Sequence, residues 1–124
     1  MLNSARMVGF VPIGNMARAK TFYSDTLGLP VTGEDSFAIT LDANGTMVRL
    51  TQVGEHKPAS FTILGWEVSN LRKAVTDLEQ NGVRFEKFAG LQQDELGIWT
   101  APGGSLVAWF KDPDGNILSL SQFA

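Results

Sequence analysis

A chain of 124 residues, 44% hydrophobic and 19% charged, is sized for one domain with a real core and is too apolar to be disordered. A formal charge of −3, with the basic residues scattered, argues against a nucleic-acid surface, which needs clustered Lys and Arg. The absence of cysteine removes disulfides and thiolate chemistry, and the opening "MLNSARMVGF" has no apolar run long enough for a signal peptide or a membrane span, so the expected location is cytoplasmic.

The elements follow in order along the chain. "MVGFVPI" reads as a strand and leads into a helix from about Met16 to Thr26. Met16, Ala19, Tyr23 and Leu27 form one apolar stripe there, with Asn15 as N-cap and Gly28 as the left-handed terminator. "SFAITLDANGTMVRLTQV" is two strands joined by Asn44-Gly45, the strongest short hairpin signal. After the polar connection "GEHKPAS" comes the strand "TILGWEV". A second helix follows from about Leu71 to Gln80, with the stripe Leu71, Ala74, Val75, Leu78, Asn70 before it and Gly82 after it. "GIWTAPGGSLVAWF" holds two strands about a Pro-Gly-Gly turn, and the D-P-D-G turn links Val107–Phe110 to a last strand over Asn116–Gln122.

These pieces repeat. Asn15 and Asn70 are 55 positions apart, as are Met16 and Leu71, and Ala19 and Ala74. The unit is βαβββ, used twice: module 1 spans about residues 7–53 and module 2 about 61–122 of a single 1–124 domain. The expected fold is α+β, with the two modules forming an eight-stranded half-barrel and a concave cleft on the face the helices leave open.

Three stretches carry a resemblance: "AKTFYSDTLGLPV" (19–31), "VSNLRKAVTDLEQNGVRF" (68–85) and "WFKDPDGNILSL" (109–120). With them the chain resembles the vicinal oxygen chelate superfamily of glyoxalase I, extradiol dioxygenases, fosfomycin-resistance proteins and bleomycin-resistance proteins. The resemblance implies the fold and no particular reaction. In the metal-binding members four inward side chains, typically two His or Gln and two Glu, hold a divalent ion. Those positions fall here on Val8, Arg49, Ile63 and Ser119. Two aliphatics donate nothing, a guanidinium repels a cation, and one hydroxyl is a poor ligand. A one-residue slip offers Met7 or Gly9, Leu64 or Thr62, and Val48 or Leu50, which is no better. The expectation is therefore no metal and no cofactor.

Strand alternation assigns the faces. Val8, Phe10, Met47, Arg49, Thr51, Ile63, Glu67, Ile117 and Ser119 share the cleft parity, while Val11, Ile13, Val48, Leu50, Leu64, Trp66, Leu118 and Leu120 pack under the helices. Trp109 or Phe110 adds an aromatic wall, Trp109 being preferred. Arg49 either anchors a carboxylate or phosphate oxygen of a ligand or pairs with Glu67. His56, the only histidine, sits in the polar connection and reads as solvated. "GEDS" (33–36) and "QQDELG" (92–97) read as solvated acidic loops.

The function expected is metal-independent binding of a small, partly aromatic organic molecule, as the bleomycin-resistance branch implies, in a homodimer favoured by open sheet edges. The alternative is a glyoxalase-type lyase or isomerase, with unorthodox metal ligands or with Glu67 as a metal-free base. No other catalytic residue is expected, and neither nucleic acid nor membrane is an expected partner.

Overall fold

A computed structural model describes all 124 residues, Met1–Ala124. The chain divides into two compact units, Met1–Lys57 and Pro58–Ala124.

In the first unit a short 3₁₀ turn, Leu2–Ser4, precedes β1 (Val8–Ile13). Helix α1 (Met16–Lys20) starts where the Asn15 side chain accepts a 2.9 Å bond from the Arg18 N–H. The helix does not stay α-helical to its end. Residues Thr21–Thr26 form a π-helix, with the Leu27 N–H reaching back to the Phe22 carbonyl at 2.9 Å. Ala19, Tyr23 and Leu27 recur every four residues, slower than the α repeat, and the wider turn keeps that stripe on one side; Ala19 and Tyr23 are fully buried. Strands β2 (Val31–Glu34), β3 (Ala38–Ala43) and β4 (Thr46–Gln52) complete a sheet of order β1-β4-β3-β2, in which only β1 and β4 run parallel. Asn44 and Gly45 turn the β3–β4 hairpin with φ of 51° and 95°, both in the left-handed region that a two-residue hairpin requires. Val11, Ile13, Ile39, Leu41, Val48 and Leu50 form the buried face.

The second unit repeats this plan. Strand β5 (Thr62–Glu67) leads to α2 (Leu71–Gln80), capped by Asn70, whose side chain accepts from the Lys73 N–H at 3.1 Å. Gln122 accepts from the free Leu71 N–H at 2.8 Å and so ties the helix start to the last strand. Strands β6 (Trp99–Thr100), β7 (Leu106–Lys111) and β8 (Ile117–Gln122) give the order β5-β8-β7-β6. The eight expected strands thus form two mixed four-stranded sheets, one per βαβββ module, each with its own helix. The D-P-D-G turn is held from inside. Asp112 accepts from the Asp114 and Asn116 N–H groups at 2.9 Å each and from the Asn116 side-chain amide at 2.8 Å, and both Asp112 and Asn116 are buried. Leu71, Val75, Ala108, Phe110, Leu118 and Leu120 are the core.

Between α2 and β6 the chain has no ladder beyond two isolated bridges. The Gln93 side chain orders it, accepting from the Phe88 N–H and donating to the Glu86 and Gly97 carbonyls at 2.7–2.9 Å. The stretch read as a solvated acidic loop is therefore a structured element.

Candidate functional site

In module 1 the open face is a ladder of registered neighbours. Val8 pairs with Met47, Phe10 with Arg49, and Pro12 with Thr51; Thr40 lies beside Arg49 and Asp42 beside Met47. Phe10 is 66% exposed, and Val8 and Met47 about 40%. These are large apolar side chains that the module's own core leaves uncovered. Arg49 is half-buried among them.

Within its own unit, the carboxylate facing Arg49 is Asp35, at 3.9 Å. Asp35 belongs to the turn before β3. It accepts the Phe37 and Ala38 N–H groups at 2.7 and 2.9 Å, and that geometry aims it at Arg49. Those two backbone bonds, against the opposing effect of burial and with some help from Arg49, hold its carboxyl below the ordinary value of 3.8. At 3.9 Å the contact is a loose ion pair, and the guanidinium keeps donors for another acceptor.

In module 2 Trp109 pairs with Ser119, Val107 with Ser121, and Trp99 with Val107, while Gly65 and Glu67 stand beside Ser119 and Ser121. All belong to one face. Ile63 falls in the irregular step between Thr62 and Leu64 and has no ladder partner, whereas Ile117 pairs with Thr62 and is buried. Trp109 is half-buried, with Trp99 tilted at 6.1 Å and Phe88 edge-on at 5.5 Å. Phe110 points the other way, fully buried against Trp66 and Phe85. Ser119 is buried as a residue, and its hydroxyl bonds to no protein group. It fits because position 65 is glycine: a Cβ there lies 2.7 Å from the Ser119 Oγ. Glu67 is exposed and unpaired.

Trp99 and Phe88 were missed by the sequence reading. Trp99 was within reach, since the Pro-Gly-Gly hairpin places it opposite Val107. Phe88 carried no signal, because it arrives on a segment without periodicity.

The side chains at the four positions that the resemblance assigns to a divalent ion do not suit one. Val8 and Ile63 have no donor atom, Arg49 is a cation, and Ser119 is a neutral hydroxyl. Nowhere in the molecule do three or more His, Cys, Asp or Glu side chains gather so that they could hold a metal. His56 is half-buried and has an interaction partner, so it is not simply solvated. No helix is long and apolar enough to cross a membrane.

The order of elements, the duplicated module and the D-P-D-G turn define one class of protein. The sequence model of the Glyoxalase/Bleomycin resistance protein/Dioxygenase superfamily matches residues 5–120, and the chain belongs to that superfamily. No curated protein sequence matches it. Among solved structures it is similar to a glyoxalase/bleomycin resistance protein/dioxygenase from Alicyclobacillus acidocaldarius, with a TM-score of 0.74 and 17% identity over 97% of this chain and 92% of that one. A lactoylglutathione lyase from Agrobacterium tumefaciens gives 0.73 and 17% over 96% and 93%. A glyoxalase family protein from Enterococcus faecalis gives 0.69 and 19% over 94% of each. At these identities the likeness is one of fold.

Proposed function

We propose that this protein binds a small, partly aromatic organic molecule without a metal ion. The observation that carries the reading is the face of module 2. Trp109 and Trp99 present an aromatic surface beside a hydroxyl, Ser119, that no protein group satisfies, on a floor opened by Gly65. A planar ring stacks on such a surface, and a polar substituent reaches the hydroxyl. On module 1, Arg49 beside Phe10, Met47 and Thr51 supplies a cation in an apolar setting, suited to an anionic aromatic. Superfamily membership supports the reading, and so does a donor set unsuited to a divalent ion. The apolar side chains left open on module 1 also support assembly as a homodimer, which light scattering in solution tests.

The probe is 1-naphthoate, titrated into chelator-treated protein with tryptophan emission as readout. Saturable quenching is expected in the absence of divalent ions, and Trp109→Ala weakens it about tenfold, the worth of a good aromatic contact. Quenching that appears only on adding a divalent metal contradicts the proposal.

A second reading rests on one observation: Glu67 is exposed on the same face with no ion pair or hydrogen bond, so its carboxylate is available as a base. If a turnover is found, Glu67→Gln abolishes it without unfolding the protein; unchanged turnover removes Glu67 from the chemistry.

A further inference from the structure

Below the Asn44-Gly45 hairpin, module 1 holds a pocket of about 320 Å³, at the small end of the roughly 300–1,000 Å³ typical of small-molecule sites. Its wall is built by register. Val8 on β1 pairs with Met47 on β4, and Met47 with Asp42 on β3, so three side chains project in a row from one face. Met7, with its flexible thioether like that of Met47, extends the apolar part. Arg6, just before β1, and Thr32 on β2 add the remaining polar groups.

The charges are the informative feature. Arg6 and Asp42 line the same small space, yet they form no ion pair with each other, and neither has another ionic partner. Asp42 is nonetheless fixed, because one carboxylate oxygen accepts the Gly45 N–H at 2.9 Å and the other is left for an outside donor. A ligand with only an anionic group would leave the carboxylate unanswered, and one with only a cationic group would leave the guanidinium so. Opposite charges that line one small space without pairing, beside the apolar Met7, Val8 and Met47, complement a small zwitterion with an apolar body.

We infer that this pocket binds a free apolar α-amino acid. Its carboxylate meets the Arg6 guanidinium, its ammonium meets the open oxygen of Asp42 and the Thr32 hydroxyl, and its side chain lies against Met7, Val8 and Met47. The inference goes beyond the aromatic-ligand reading, which uses neither Arg6, Thr32 nor Asp42.

The test uses protein labelled with ¹³C at the methionine methyls, titrated with L-phenylalanine. Of the four methionines, Met7 and Met47 line the pocket, while Met1 and Met16 do not. Ring-current shifts are expected at Met7 and Met47 together, with Met1 and Met16 unmoved. Two analogues complete the design, 3-phenylpropionate lacking the ammonium and phenethylamine lacking the carboxylate; each binds about tenfold or more weaker than L-phenylalanine. Asp42→Asn and Arg6→Gln each produce a similar loss. Asp42 also braces the hairpin, so if Asp42→Asn does not fold, Arg6→Gln at an exposed position without internal bonds decides together with the analogues. No saturable shift at Met7 and Met47, equal binding of either analogue, or full affinity in Arg6→Gln overturns the inference. Failure of 1-naphthoate to quench the tryptophans removes the aromatic-ligand reading and leaves this result standing.

Discussion

Gly65 and Ser119 are a matched pair of side-chain sizes. A methyl group at position 65 meets the Ser119 hydroxyl at 2.7 Å and the Ser119 backbone carbonyl oxygen at 3.3 Å. Gly65→Ala is expected to destabilise by about 1–3 kcal/mol in urea unfolding, the usual scale of overpacking. Removing the hydroxyl as well, in Gly65→Ala/Ser119→Gly, restores only part of that because the carbonyl contact remains. Full stability in Gly65→Ala would show that β5 and β8 adjust freely there. The adjacent aromatics make the opposite contrast. Phe110→Ala empties a fully buried site and costs about 3–5 kcal/mol. Trp109→Ala removes a half-exposed ring whose main contacts are Phe88 and Trp99, and costs about 1–2 kcal/mol. Equal losses would mean that Trp109 belongs to the core rather than to an open face.

Among the elements, the segment before β6 is clasped to α2. Arg72 donates to Asp94 and Glu95 at 3.0 Å each, and Asp94 also accepts the Leu96 and Ile98 N–H groups at 2.9 Å. Burial works against the Asp94 charge, but the Ile98 and Leu96 bonds and Arg72 outweigh it and hold the carboxyl below its ordinary 3.8. A carboxyl depressed in the folded state stabilises the fold above its unfolded value and loses that contribution as pH falls through the folded value. Urea midpoints measured from pH 5 downward should therefore drop below about pH 4, and less steeply in Asp94→Asn; identical slopes would remove the clasp from the acid response. The β3–β4 hairpin gives a second element-scale expectation. Gly45 sits at φ 95°, with nothing within 4 Å of an added Cβ. Gly45→Ala is thus opposed by backbone conformation alone and costs about 1–2 kcal/mol.

Elements specified by local chemistry were legible in the sequence. Two asparagine caps, two apolar stripes and the Asn-Gly turn lie within a few residues of the structure they produce. Strand alternation separated Val48 and Leu50 from Met47 and Arg49 without any view of the sheet. Features set by side chains crossing between elements were not legible. Asp35 reaches Arg49 only because its own backbone bonds fold the turn back, Gln93 orders a stretch with no period, and the π turn of the first helix registers only as a slightly slow apolar repeat.

The whole molecule is a duplicated βαβββ chain of the glyoxalase superfamily, and at the four positions that the resemblance assigns to an ion, Val8, Arg49, Ile63 and Ser119, the side chains do not suit one. Under the proposed function, ligand recognition rests on shape, aromatic surface and fixed charge, divided between the open face of each module. Thermal unfolding of chelator-treated protein, with and without nickel, zinc or manganese, bears on that claim directly. A bound ion present at a hundredfold excess over its Kd adds about 2.7 kcal/mol, a rise in Tm on the order of 10 °C for a domain of this size. The account predicts an unchanged Tm with all three metals; a rise of that order, with one ion bound per chain, would contradict it.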